Sequence, residues 1–195
     1  SSHYLYSITK IYTREINPEY SYREEYFDDY YSILNCRRLA KIRVGHGWVI
    51  DRLQFIYTNE KGEVDEAVCP AHGIGPGGIE EIVLGETEYI SKMVYKLCNA
   101  EYFYPEKIMY YLEFTVKDSC NPAVFRVRSF GNANFEGKPV SERLDWKSKH
   151  RYAIEADEGY EIFALAGYFV SYMGRISCTY HRKLGTVDPL PAVKS

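Results

Sequence analysis

The sequence predicts an all-β domain, and three observations carry that prediction. Apolar residues alternate with polar ones over most of the chain. Glycine- and proline-bearing turns separate those runs at short intervals. Helical periodicity is weak everywhere. The chain has 195 residues with 46% hydrophobic content, which suffices for one core and fits one domain spanning 1–195.

The alternating runs come in order. Leu53, Phe55 and Tyr57 alternate with Arg52, Gln54 and Ile56, and Met93, Tyr95 and Leu97 with Lys92, Val94 and Lys96. Further on, Leu112, Phe114 and Val116 alternate with Glu113, Thr115 and Lys117, and Ile176, Cys178 and Tyr180 with Arg175, Ser177 and Thr179. Period-2 alternation is the signature of a strand with one buried face. Between the runs, Thr58-Asn59-Glu60-Lys61-Gly62 reads as a hairpin connection and His72 to Gly78 as a Gly/Pro loop. Phe130-Gly131-Asn132 closes another strand. Short strands at this spacing fit a sandwich, a barrel or a prism.

Two stretches depart from the pattern. Residues 21–34, SYREEYFDDYYSIL, carry Ser21 with Glu24 three residues on, as in a capping box, and Tyr22, Tyr26, Tyr30 and Ile33 share a helical face. A helix and an irregular acidic loop are both open there. Residues 136–158 are charged and read as a long loop with one edge strand at most. No linker divides the chain.

Composition excludes several classes of function. Net charge is −3 and the basic residues form no stripe, so no nucleic-acid partner is expected. No run approaches the ~20 apolar residues of a membrane span. The start, SSHYLYSITK, lacks a signal peptide and reads as a piece of a longer protein or a processed chain. The five cysteines, Cys36, Cys69, Cys98, Cys120 and Cys178, form no CxxC pair, so neither zinc nor a dense disulfide framework is expected. Buried thiols lean toward a reducing, cytoplasmic compartment. No catalytic motif and no cofactor signature is present, so no enzyme is expected. His46 and His72 fall near one corner and read as ordinary loop histidines. The 20 tyrosines suit both strands and a contact surface.

Three segments echo one another: 41–62 with 72–97, 107–118 with 124–132, and 160–181. The first holds I-x-V-x-x-G-x-x-I-D-x-L-x-F-x-Y from Ile42 to Tyr57, then the Gly-rich loop from Gly73 to Gly78 and Glu88-Tyr89-Ile90-Ser91. Phe114-Thr115, Phe130-Gly131 and Ala166-Gly167 with Ile176 and Tyr180 follow. This ordered set, from about residue 40 to 181, resembles the jacalin-related lectins. The resemblance implies a type I β-prism: three four-stranded antiparallel sheets with pseudo-threefold symmetry. The core is then 40–181, with residues 1–38 a Tyr-rich arm or insert.

The resemblance also implies carbohydrate binding where a G-x-x-x-D loop meets a Gly-rich loop. The chemistry suits a neutral sugar. A carboxylate accepts from two hydroxyls, and glycine lets backbone amides approach. Gly47, Trp48, Val49, Ile50 and Asp51 fit G-x-x-x-D, with Gly77 and Gly78 on the partner loop. Asp51 would accept hydroxyls, Trp48, Val49 and Ile50 would supply amides, and the Trp48 ring would pack on the sugar. The alternative is that Asp51 caps a turn and the glycines only satisfy backbone geometry. The corner at Val170 to Gly174 has lost both motif residues, and Ala100 to Glu106 lacks them too. Two functions follow. One is a lectin-like module, part of a larger protein, for a mannose- or glucose-type glycan or glycoprotein. The other is a protein-interaction or targeting module, appended to a protease or pore-forming protein and using the N-terminal arm.

Overall fold

The computed structural model describes residues 8–13, 24–100, 107–132 and 144–185. Twelve strands form three four-stranded antiparallel sheets. The first sheet has the order β5 (Val64–Asp65), β4 (Ile50–Thr58), β3 (Arg38–His46), β6 (Gly78–Val83). The second runs β10 (Leu144–Glu155), β7 (Glu88–Ala100), β8 (Lys107–Asp118), β9 (Asn121–Gly131). The third runs β1 (Ile8–Tyr12), β12 (Met173–Lys183), β11 (Tyr160–Phe169), β2 (Glu25–Asp28). This is the β-prism expected from the sequence.

The alternating apolar residues close the prism. Phe55 of the first sheet meets Phe114 of the second edge-on, with ring centres 5.9 Å apart. Tyr57 meets Phe163 of the third at 5.2 Å, and its hydroxyl donates to the Phe163 carbonyl. The Tyr95 hydroxyl of the second sheet donates to the Ile176 carbonyl of the third at 3.4 Å. Each pair of sheets is thus joined by an aromatic side chain. Edge-on aromatic pairs contribute about 0.5–1.5 kcal/mol beyond the area they bury. The hydroxyls of Tyr57 and Tyr95 both find carbonyl partners at the centre, so these two polar groups are buried without being left unpaired.

The expected turns fall where the sequence places them. Asn59 and Gly62 close the β4–β5 hairpin through Gly62 N–H to Asn59 O at 2.9 Å, with Gly62 at φ +79°. β9 ends at Gly131, φ +93°, where a side chain would collide with the Tyr110 carbonyl.

Some expectations differ from the structure. Residues 25–34 form neither a helix nor a solvated loop. Glu25–Asp28 is a strand paired to β11, and Tyr30–Ser32 is a 3-10 turn. Pairing with an existing sheet satisfies more backbone groups than one isolated helical turn, and Phe27 and Ile33 are buried while Tyr26 and Tyr31 face out. Residues 21–23, with the capping-box serine, lie outside the described residues, and Glu24 pairs with Arg175 at 3.2 Å. Within 136–158 the edge strand is present and longer than expected: β10 takes up twelve residues, while 133–143 lie outside the described residues. Its Lys147, Lys149 and Arg151 are edge charges that guard against strand addition, and they hid the length of the strand from a hydrophobicity reading. Finally, the segment 88–97, read with the first repeat, pairs into the second sheet as β7. The segment read as an arm supplies β1 and β2, both edges of the third sheet.

Candidate functional site

The site is built where β3 turns into β4. The turn is Gly47-Trp48-Val49, tightened by Gly47 N–H donating to Val49 O at 3.1 Å. Ile50 is fully buried, and its alternation with Asp51 sends the carboxylate to the other face of β4. The Gly-rich loop lies over that carboxylate. His72 pairs with Leu53 through two backbone bonds of 2.9 Å, starting the loop beside β4. Gly73, at φ +85°, then turns against the Asp51 backbone, where any side chain would clash. A side chain on Gly75 would strike Oδ1 of Asp51, and one on Gly77 would strike Oδ2. The Gly77 N–H donates to the carboxylate.

Asp51 is only 4% exposed. Burial pushes its carboxyl above the usual aspartate range, while His46 and the Gly77 N–H pull it back. The carboxylate nevertheless lines a pocket of about 320 Å³, together with Gly47, Trp48, Val49, Pro76 and Gly77. The far wall is apolar: Ala100 and Ile108 from the second sheet, Leu144 and Tyr172. Two carboxylate oxygens offer about four acceptor positions, and the Gly77 N–H uses one. Trp48 is 54% exposed, with its ring at the pocket.

Of the residues singled out in the sequence, Gly47, Trp48, Val49, Asp51 and Gly77 therefore meet at one pocket. Ile50 faces the core, and Gly78 is the first residue of β6, opposite His46. No local pattern pointed to Ile108 or Leu144, and Tyr172 stood in the Val170–Gly174 corner, read as a separate one. Ile108 and Leu144 come from the starts of β8 and β10 and Tyr172 from the β11–β12 turn, and only the folded prism assembles them.

His46 and His72 have structural partners. His46 Nδ1 accepts the Gly131 N–H at 2.9 Å, and its Nε2 faces Glu80 at 3.0 Å. His72 Nε2 bonds the buried Asp29 carboxylate at 3.0 Å and stacks on Phe27 with centres 3.8 Å apart.

The corner of the third sheet is closed. Val170 N–H donates to Tyr172 O at 3.0 Å, and Ser171 O accepts from Ile74 N–H at 2.9 Å. Phe27, His72 and Phe169 form a ring cluster behind this turn. Residues 101–106 of the middle corner lie outside the described residues. Among the described residues no group of His, Cys, Asp or Glu could hold a metal ion, and no helix is long and apolar enough to cross a membrane.

Comparison with known proteins agrees with the prism fold. The family profile of the jacalin-like lectin domain matches residues 21–138. Among solved structures, a variant of the Malaysian banana lectin superposes with a TM-score of 0.55 at 17% identity, covering 90% of this chain and 98% of that one. The agglutinin of Calystegia sepium gives 0.55 at 16% identity, covering 90% and 95%. Artocarpin, a lectin with mannose specificity, gives 0.52 at 14%, covering 76% and 84%. No curated protein matches the chain in sequence.

Proposed function

The chain belongs to the jacalin-like lectin domain family, and from that premise we propose that it is a carbohydrate-binding module whose sugar sits at the Asp51 corner. One observation carries the reading. An aspartate is held under a glycine loop, yet lines a pocket that an exposed tryptophan also lines.

The pocket suits a neutral pyranose. Two adjacent hydroxyls donate to Asp51, and hydrogen bonds to an ionised acceptor contribute about 1.5–3 kcal/mol. Gly47 and Gly77 carry no side chain, so the ring can approach the backbone. The Trp48 ring packs on the apolar face of the sugar, and the wall of Ile108 and Leu144 excludes water. Mannose- or glucose-type glycans present this pattern of adjacent hydroxyls above an apolar ring face. The similar artocarpin is itself a lectin with mannose specificity. Binding, not turnover, is the task such a site performs, because a single carboxylate beside amides supplies no acid–base pair.

The test is an array of neutral glycans probed with the intact protein and with Asp51→Asn. Retention of mannose- or glucose-terminated glycans by the intact protein, lost in the variant, is the expected result. An intact protein that retains no glycan contradicts the reading.

A further inference from the structure

A second pocket lies on the third sheet, apart from the Asp51 corner. Its volume is about 300 Å³, and it is lined by Ile8, Lys10, Asp28, Tyr30, Tyr31 and Tyr180. The register explains why these residues meet. Lys10 of β1 stands opposite Tyr180 of β12, and Ala164 of β11 stands opposite Tyr180 on its other side. Asp28 of β2 is opposite Ala166, which in turn is opposite Cys178. Directly opposed residues share a face. The centre of that face therefore holds the small Ala164 and Ala166, while β1 and β2 raise larger side chains at its two edges. The 3-10 turn brings Tyr30 and Tyr31 alongside.

The lining is ordered by its own contacts. The Tyr180 hydroxyl donates to Asp28 at 2.9 Å, and the Tyr30 N–H donates to the same carboxylate at 3.0 Å. Tyr26 also donates to it, at 3.3 Å. The Tyr30 ring lies 4.8 Å from Tyr180 and 5.1 Å, edge-on, from Tyr31. The Lys10 ammonium sits 5.0 Å from the Tyr12 ring centre and 5.7 Å from that of Tyr180. Tyr31 is 79% exposed and Tyr12 is 73% exposed, an unusual outlay of large rings on a sheet face.

We propose that this tyrosine-lined pocket is a second saccharide-binding position, independent of the Asp51 corner. Its chemistry selects that ligand class. Lys10 and Asp28 carry opposite charges, so the pocket has no net charge and favours neither an anion nor a cation. The Lys10 ammonium also occupies the position over the rings that an external cation would need. What remains is a neutral molecule with an apolar ring face and hydroxyls at its rim. Tyr31 offers a flat, rigid surface for the face, and tyrosine loses little entropy on binding. Lys10 donates to ring oxygens and hydroxyls, and Asp28, with three donors on about four acceptor positions, takes one more. The concavity suits one or two rings of a glycan better than a flat protein surface. Two positions on one chain let a branched or clustered glycan be held twice, which raises avidity without any new contact.

The experiment is an NMR titration of protein labelled at its tyrosine rings, with neutral mannose- and glucose-type oligosaccharides, while Trp48 fluorescence reports the Asp51 corner. Intact protein, Asp51→Asn and Tyr31→Ala are compared. Tyr31 is exposed, so its loss leaves the fold intact. The expected result is that Tyr30 and Tyr31 resonances shift in intact protein and in Asp51→Asn alike, and that Tyr31→Ala weakens this phase roughly tenfold. Tyrosine resonances that stay still for every saccharide overturn the proposal, whether or not Trp48 responds. An affinity unchanged in Tyr31→Ala overturns it as well. A Trp48 signal that is absent while the tyrosines shift counts against the Asp51 corner alone. A protein partner that shifts the same tyrosines when no saccharide does would make this face a protein contact instead.

Discussion

Gly77 and Asp51 are fitted to one another. The Gly77 N–H donates to the Asp51 carboxylate, and a Cβ on Gly77 would collide with its Oδ2. The glycine loop is thus moulded on the side chain proposed to meet the sugar, and the loop and the acceptor stand or fall together.

Substitutions in the loop should sort by this contact. Gly77→Ala and Gly75→Ala force the carboxylate to move, and overpacking of this kind costs about 1–3 kcal/mol. Gly78→Ala meets nothing nearer than the His46 carbonyl at 4.0 Å, so its stability should stay close to that of the parent. Thermal unfolding of the three variants checks the order. Equal melting points for Gly77→Ala and Gly78→Ala would show that the clasp is not there.

Binding should fail on acidification earlier than for an ordinary aspartate. Burial raises the Asp51 carboxyl, so it takes up its proton at a higher pH and stops accepting hydroxyls. The sign for stability is opposite. A raised carboxyl makes ionisation a cost to the folded state, and that cost vanishes as pH falls through the folded value. Affinity measured against pH should therefore fall while the corner itself is not weakened. An affinity that holds until the normal aspartate range is passed would contradict the shift.

His181 should give the fold a separate acid sensitivity. Burial lowers its imidazole below the usual histidine range, with Asp157 opposing, and its Nε2 lies 2.8 Å from the Thr179 hydroxyl. The unfolded chain then takes up a proton first, so stability is complete above the unfolded value near 6.5 and is lost as pH falls below it. His181→Gln should flatten unfolding free energy over that window. A pH profile identical to the parent's would exclude His181 as the cause.

The Tyr57 hydroxyl ties the first sheet to the third through the Phe163 carbonyl. Tyr57→Phe keeps the ring packing and strands a buried carbonyl, which costs roughly 1–3 kcal/mol. Denaturant unfolding should show a lower midpoint with an unchanged slope. No change in midpoint would mean that the prism axis does not depend on this bond.

Much of this was legible in the chain. Period-2 runs at Leu53, Met93, Leu112 and Ile176 lie in strands, because the face toward the axis is apolar, although in β4 and β12 the other face is largely buried as well. Gly62 and Gly131 marked turns that need positive φ. Other parts were hidden for physical reasons. The length of β10 was hidden because Lys147, Lys149 and Arg151 mask its Tyr152 and Ile154. β2 is four residues long, too short for a period to show, and owes its form to β11. The Asp51 corner was visible because its residues are close in sequence. The apolar wall opposite, and the meeting of Lys10 with Asp28 and Tyr180, depend on which strands become neighbours, and no local pattern encodes that.

The central claim is that Asp51 accepts sugar hydroxyls. Side-by-side titration of intact protein and Asp51→Asn with methyl α-mannoside and methyl α-glucoside, read by Trp48 fluorescence, tests it most directly. A saturating change in the intact protein that weakens by roughly tenfold or more in Asp51→Asn is the predicted result. Equal isotherms for the two proteins, or no response from the intact one, would contradict it.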